Sequence, residues 1–259
     1  MMATTNMTLH QQTLRNAPVP TTKLHLGHII ERYRKYVIEP FKDKAVKLLE
    51  IGIAKGQSLE MFRDALPHAH IIGLDIGELP ELSDIARISM NRGEQQDANV
   101  LDTLGSLHAP DGFDVIIDDG SHIGQYTRIA FWHLFRKHLK RGGLYFIEDW
   151  GCSYWPHFPD GKHYSPKEPD FSIPEKLLNS AYRSTKNRFL RRVIGHARYR
   201  LVKRQFPSHQ YGMVGFVKEL VDECGCADRT DKRWGCGEPR KSMIHEMTIS
   251  PGLVMITKA

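Results

Sequence analysis

DVIIDDGSH at residues 114–122, followed after a helical segment by GGLYFIED at 142–149 and WGCSYW at 150–155, decides how this chain folds. Two short apolar runs each end in a pair of acids, Asp118-Asp119 and Glu148-Asp149, about thirty residues apart. Strands joined by a helix run parallel, and adjacent parallel strands end side by side. Both acid pairs are therefore expected at one point, with His122 beside them, an arrangement that suits a metal ion with a base next to it.

Working outward, AVKLLEI at 45–51 leads into the glycine turn GIAKG at 52–56 and a helical pattern through Leu66. HIIGLD at 70–75 is a second strand and ISMNR at 88–92 a third, ending at GEQQD, residues 93–97. Phe113 to Ile117 and Leu144 to Ile147 are the fourth and fifth. Strand and helix alternate, which implies a parallel sheet under covering helices. Before this series, Ile29, Ile30, Tyr33, Val37 and Phe41 share one helical face, so the spacing predicts a helix packed on the domain. After it, residues 150–211 break the rhythm with an aromatic, proline-rich loop and a basic helical stretch. An excursion that long, leaving a strand's C-terminal end, reads as a substrate lid with a basic helix insertion. Gly212 to Cys224 is helical again. Ile244 to Ile249 and Leu253 to Thr257 flank Ser250-Pro-Gly and form a terminal antiparallel hairpin. Residues 1–21 are polar and aperiodic, a flexible arm; residues 22–259 form a single domain.

The 259 residues suffice for one α/β domain with a sizeable core, and 41% hydrophobic with 25% charged residues excludes overall disorder. There is no 18-residue apolar run and no signal-peptide pattern at the start, so a cytoplasmic protein without a transmembrane segment is expected. Cys224, Cys226 and Cys236 lack the paired spacing of a structural zinc knuckle, and reduced thiols are expected, with a zinc site completed by His209 or His245 as the lesser alternative. Nine lysines and arginines fall between Tyr182 and Phe206 with no acid among them. Subtracting those nine charges from the net +6 leaves −3 for the rest, so the basic character belongs to one segment.

The glycine turn is neither the G-x-G-x-x-G dinucleotide fingerprint, since residue 54 is alanine, nor a P-loop. E-x-G-x-x-x-G with an acid ending the next strand fits S-adenosylmethionine, which has a ribose diol for a carboxylate and no phosphate to cradle. Asp75 would hold the ribose, Glu50 would steer the turn or the methionine end, and Gln96 would meet the adenine edge. The cofactor-facing set is then Glu50, Gly52, Gly56, Ser58, Asp75, Gln96 and Asp118. The plainer reading of Gln96 is a loop amide capping a helix, and that of Asp118 is a helix cap after a parallel strand.

LLEIG-x3-G at 48–56, GLDI at 73–76, GEQQD at 93–97, IDDGSH at 117–122 and IED-x3-SYW at 147–155 together resemble the bacterial class I sugar O-methyltransferases. That family includes enzymes acting on macrolide deoxysugars, and a mycobacterial methylmannose polysaccharide methyltransferase is similar in the same way. The resemblance covers roughly residues 22–155. Gln57 departs from a common second glycine, and 156–211 matches nothing recognisable. The resemblance implies a Rossmann-like fold, with a mostly parallel seven-stranded sheet, a C-terminal antiparallel hairpin and the lid after strand 5. It also implies Mg2+ held by Asp119, Glu148 and Asp149, with His122 as general base.

Chemically, a sugar hydroxyl is a poor nucleophile until its pKa falls. Three carboxylates suit a hard ion that keeps exchangeable positions, and histidine takes a proton near neutral pH. His122 has a structural or substrate-orienting role as its alternative. Tyr154 and Trp155, with Phe158 and Tyr164, either stack on sugar faces or fill a hydrophobic seam. His25 and His28 read as surface or packing residues. The expectation is an S-adenosylmethionine- and Mg2+-dependent O-methyltransferase acting on a glycoside or oligosaccharide, either a mannose oligosaccharide or a natural-product deoxysugar. The alternatives are an RNA methyltransferase using the basic 183–204 segment and a non-catalytic S-adenosylmethionine-binding protein. The apolar stripe of Leu190, Val193, Ile194, Ala197 and Leu201 favours a helix with a solvated basic face, ahead of an anionic or membrane-associated partner and then a nucleic-acid surface, with packing on a second subunit of a homo-oligomer also open.

Overall fold

The structure is a computed structural model that describes residues 27–82, 84–155, 157–163, 173–201 and 209–259. The expected arm at 1–21, and the positions of His25, Tyr164 and Phe206, lie outside the described residues. In chain order the strands are β1 (Lys47–Ile51), β2 (His70–Asp75), β3 (Ile88–Arg92), β4 (Phe113–Asp118), β5 (Leu139–Glu148), β6 (Ile244–Ser250) and β7 (Leu253–Lys258). They form one sheet in the order β3-β2-β1-β4-β5-β7-β6. β1 to β5 pair in parallel, and β7 enters antiparallel between β5 and β6, as the terminal hairpin requires. The sequence of strands reverses between β1 and β4, and the crevice beyond such a reversal is where an open α/β sheet accepts a ligand.

Helices cover both faces. α1 (Gly27–Tyr33) runs through a π-helical turn (Arg34–Ile38) into α2 (Glu39–Phe41), and α3 (Gln57–Ala65) shares their face. α4 (Ala98–His108), α5 (Gly124–Lys137) and α8 (Gly212–Cys224) cover the other. Alternation along the strands sorts the side chains between the layers. Leu49, Ile51, Ile116, Tyr145 and Ile147 pack under α4, α5 and α8. Leu48, Ile71, Val115, Ile117 and Phe146 pack against α1 and α3, where the fully buried Tyr33 ring meets Phe62 and Phe146. The same alternation directs Asp118 toward Tyr145 and Glu148 toward Tyr33, so the terminal acids of β4 and β5 go to opposite layers.

The chain divides into two compact units, of which the second runs from residue 163 to 209. Its described part is a helical hairpin of α6 (Ile173–Ser184) and α7 (Arg188–Leu201). Asn187 caps α7 by accepting from the backbone N–H of Phe189 and Leu190. The Arg191 guanidinium lies 4.9 Å from the centre of the Tyr182 ring. Among the described residues no helix is long and apolar enough to cross a membrane.

Candidate active site

The turn after β1 is built by glycine. Gly52 has φ +83°, and a Cβ there would run into the backbone carbonyl of Asp119, so the ends of β1 and β4 approach as closely as they do only because residue 52 has no side chain. Asp119 N–H donates to the Ile51 carbonyl at 2.9 Å and Gly52 N–H to the Leu74 carbonyl at 2.8 Å, joining three strand ends. Asp75 at the end of β2 secures the turn from the other side. Its Oδ2 accepts from the backbone N–H of Ile53 (2.9 Å) and Ala54 (3.1 Å), and its Oδ1 from Gly77 (2.8 Å). Beneath the turn, the buried Ser58 hydroxyl donates to buried Glu50 at 2.7 Å and ties the first turn of α3 to β1.

Above these residues lies a cleft lined by Gly52, Leu74, Asp75, Ile76, Gly93, Gln95, Gln96, Gly120 and Ser121 among others. Of the cofactor-facing set, Gly52, Asp75 and Gln96 line it. Glu50, Ser58 and Gly56, which opens α3 at φ +77°, support the turn from behind. Gln96 bonds its neighbour Glu94, whereas the adjacent Gln95 turns inward. Gln95 Nε2 donates to Asp118 at 3.2 Å and its Oε1 accepts from Ser121 N–H at 2.8 Å. Asp118 also accepts from the Tyr145 hydroxyl at 3.2 Å. Burial pushes the Asp118 carboxyl up to about 6. Asp118 is thus the internal anchor that holds Gln95 and the Gly120-Ser121 backbone at the cleft's floor.

Across β4, donor atoms of Asp119, His122 and Asp149 all lie within 4.8 Å of one another, with His122 Nε2 3.9 Å from Asp119 Oδ1. The Asp119 and His122 side chains keep about a fifth of their surface open, 21% and 19%. His122 (φ 53°) and Asp149 (φ 50°) both hold left-handed backbone, as does Ala54 (φ 44°) in the glycine turn. Each such residue costs on the order of 1–3 kcal/mol, and the three lie at the strand ends where the candidate groups converge.

Glu148 is placed differently from the expectation of three carboxylates around one point: it is outside that close triplet. It is 2% exposed, and its Oε1 accepts from the Tyr33 hydroxyl at 2.6 Å. Burial and then Glu148 hold the Tyr33 hydroxyl well above its ordinary pKa, with Asp119 and Glu50 adding to the effect, so Tyr33 stays a proton donor amid three acids. Tyr33 immediately precedes the π-helical turn, a feature that recurs at functional sites.

The next segment is firmly seated. Asp149 N–H donates to the Gly252 carbonyl at 2.7 Å and opens the 3-10 turn Trp150–Tyr154, while Trp150 Nε1 donates to the Ser250 carbonyl at 2.9 Å. Burial, with Asp149 and Asp119 nearby, pushes the Cys152 thiol up to about 12, which keeps it protonated and inert. Asp160 Oδ2 accepts from the N–H groups of Gly124 (2.8 Å) and Met213 (3.0 Å) and from the Ser153 hydroxyl (3.3 Å). One buried carboxylate therefore faces the N-termini of α5 and α8, the favourable end of both helix dipoles. Tyr154 and Trp155 remain 43% and 50% exposed, with Trp155 tilted 5.5 Å from Phe158, so they do not fill a buried seam. His28 is on the surface, bonded to the Pro251 carbonyl at 3.0 Å.

No protein-family model matches the chain. It is 31% identical over 208 residues to demethylmacrocin O-methyltransferase of Streptomyces fradiae, covering 76% of this chain and 49% of that one. It is 38% identical over 135 residues to mycinamicin VI 2''-O-methyltransferase of Micromonospora griseorubida, covering 49% and 32%. The chain is a homologue of the bacterial sugar O-methyltransferases. It spans half or less of the length of these relatives. Among solved structures, the mycinamycin-pathway methyltransferase MycE, in complex with Mg and SAH, superposes with TM-score 0.63 at 23% identity, covering 96% of this chain and 53% of that one. That likeness carries the fold alone, the mostly parallel seven-stranded sheet with its antiparallel terminal hairpin.

Reading the sequence missed Tyr33, Gln95, Ser121 and Asp160. Gln95 and Ser121 lie within the motifs GEQQD and IDDGSH, whereas Tyr33 and Asp160 belong to none.

Proposed function

We propose that this chain is an S-adenosylmethionine- and Mg2+-dependent O-methyltransferase acting on a sugar hydroxyl of a glycoside. The observation that carries the reading is the junction of the glycine-walled cleft at β1, β2 and β4 with the Asp119, His122 and Asp149 group at the ends of β4 and β5. The cleft suits an adenosine: Leu74 and Ile76 offer apolar walls, Gly52, Gly93 and Gly120 leave backbone open, and Asp75 and Gln96 provide polar edges. The acids suit a hard divalent cation, because two carboxylates stand in reach of one point and the buried Glu148 directly precedes Asp149 in the chain.

When bound, S-adenosylmethionine supplies a methyl on a sulfonium and Mg2+ supplies Lewis acidity toward the acceptor oxygen. Asp119, Asp149 and Glu148 are the residues proposed to hold the ion. Glu148 is steadied by Tyr33. His122 takes the proton of the acceptor hydroxyl at Nε2, which stands 3.9 Å from Asp119 Oδ1 on a residue of left-handed backbone. Asp118, acting through Gln95, fixes the Gly120-Ser121 backbone that borders the cofactor cleft, so positioning provides much of the acceleration. Tyr154 and Trp155 offer exposed ring faces to the sugar.

The names of the homologues favour a deoxysugar on a natural product over a mannose oligosaccharide as the acceptor. The test is mass-spectrometric detection of one added methyl on a panel holding deoxysugar glycosides, mannose oligosaccharides and RNA, with S-adenosylmethionine and Mg2+. Methylation of a deoxysugar glycoside is the expected result. Methylation of RNA alone, or cofactor binding without transfer to any acceptor, overturns the proposal.

A further inference from the structure

A second group of metal-ligating side chains sits away from the strand ends just described. Asp102 projects from α4, His133 from α5, and His138 is the residue that caps α5, its N–H donating to the Leu134 carbonyl at 2.8 Å. The His138 carbonyl accepts from Phe113 N–H at the start of β4, which puts the group toward the N-terminal edge of the sheet. His133 lies nine residues into α5 from Gly124, roughly 14 Å at 1.5 Å per residue, so it is remote from His122.

We propose that Asp102, His133 and His138 form a binding site for a borderline divalent transition ion of the Zn2+ type, joining α4 to the end of α5. Both imidazole Nε2 atoms stand 2.7 Å from the same oxygen, Asp102 Oδ1. Two nitrogens and a carboxylate oxygen aimed at one point are the mixed set that zinc takes, whereas Mg2+ prefers oxygen alone. The two histidine side chains are largely covered, at 14% and 15% exposure, while Asp102 at 42% leaves one side open for water as a fourth ligand. The His138 ring presses on α4 at Gly105, where a Cβ would overlap it, so the helix carries a gap shaped to that ring.

With metal–ligand bonds near 2.1 Å, tetrahedral ligand atoms stand roughly 3.4 Å apart. The present 2.7 Å spacing therefore has to open by about 0.7 Å, within reach of the partly exposed Asp102 side chain. Lys137 Nζ, 3.2 Å from Asp102 Oδ2 and 3.4 Å from Oδ1, is the competing cation, and its exposed chain is free to withdraw. In the absence of an ion the same side chains tie the two helices together through hydrogen bonds between both imidazoles and Asp102 Oδ1. The site does not depend on the proposed methyl transfer.

The test is calorimetric Zn2+ titration of the whole chain without a histidine tag, with Co2+ absorption as a check on coordination. The variants are His133→Gln/His138→Gln, Asp102→Asn, and Asp119→Asn/Asp149→Asn as the control for the other acid group. One Zn2+ equivalent, with the visible bands of tetrahedral Co2+, is expected in the Asp119→Asn/Asp149→Asn control, the background against which the other variants are compared; the wild type binds that equivalent in addition to any held by the strand-end acids. Affinity is expected to fall at least a hundredfold in the histidine double variant and in Asp102→Asn. Zn2+ binding unchanged in Asp102→Asn and the histidine variant, or lost in the control, overturns the proposal. Should the double variant misfold by circular dichroism, the surface change Asp102→Asn decides alone.

Discussion

Replacing Tyr33 by Phe removes one oxygen atom and leaves the ring packed against Phe62 and Phe146. What is lost is the 2.6 Å hydrogen bond from the Tyr33 hydroxyl to Glu148 Oε1, made in the buried layer under α1. A hydrogen bond to a carboxylate contributes about 1.5–3 kcal/mol net. At about 2–4 °C per kcal/mol for a domain of this size, Tyr33→Phe is expected to melt about 3–12 °C below the wild type. A second effect follows if Glu148 holds the ion. A residue that orients a metal ligand typically changes metal affinity by about 10–100-fold when replaced, and the weakening is expected here for Mg2+ or its paramagnetic stand-in Mn2+. Thermal melts with and without Mg2+, together with Mn2+ titration followed by electron paramagnetic resonance, separate the two. A merely structural tyrosine lowers the melting temperature and leaves the Mn2+ dissociation constant alone. An unchanged melt together with an unchanged constant would refute the whole argument and reduce Tyr33 to core filling.

Gly52→Ala brings a Cβ against the Asp119 carbonyl and places an L-residue at φ +83°, where the backbone alone costs about 1–2 kcal/mol. Denaturant unfolding should show at least that loss, and calorimetry should show S-adenosylhomocysteine binding abolished; normal binding would mean that the turn is not the cofactor's. Glu223, buried on α8, is held below the ordinary carboxylate range chiefly by the Arg240 guanidinium, 2.6 Å away. Its depressed pKa gives stability that is present above its ordinary value of 4.5 and lost as pH falls through the folded value, so Glu223→Gln should flatten the acid limb of the melting-temperature profile. An acid limb of unchanged slope would remove Glu223 from that account. Trp155→Ala, at an exposed position, should change stability by no more than about 0.5 kcal/mol. The same variant should raise acceptor KM roughly two- to tenfold, the worth of an aromatic contact of about 0.5–1.5 kcal/mol, with cofactor affinity unchanged; an unaltered KM would take Trp155 out of the acceptor site.

The features legible in the sequence were those written locally. Strand ends announce themselves as an apolar run meeting an acid, as in HIIGLD, VIIDD and YFIED, and the glycine turn at 52–56 carries its own geometry. β5 proved longer than the expected Leu144 to Ile147, because Lys140 and Arg141 hid its first residues behind a polar pattern. Tyr33 read as one more residue on the apolar face of a helix, and its ring is indeed core. Its hydroxyl gains meaning from Glu148, 115 residues away, through a π-helical turn that no spacing rule announces. The sequence already set Asp118 apart from Asp119, Glu148 and Asp149, and strand alternation separates Glu148 as well: Asp118 goes to the layer of Tyr145, Glu148 to the layer of Tyr33, Asp119 and Asp149 to the open end beside His122. Asp160 lay in a proline-rich segment with no motif, and its partners belong to two helices distant in sequence.

If the acids at the ends of β4 and β5 serve methyl transfer through a divalent ion, the rate of transfer follows the ion. The most direct measurement is the rate of methyl transfer to a glycoside acceptor, taken with Mg2+, with EDTA, with Mg2+ restored, and with Asp119→Asn. The account predicts loss of transfer in EDTA, full recovery on adding Mg2+, and no transfer by Asp119→Asn at saturating S-adenosylmethionine. Transfer that persists in EDTA and in Asp119→Asn would contradict it.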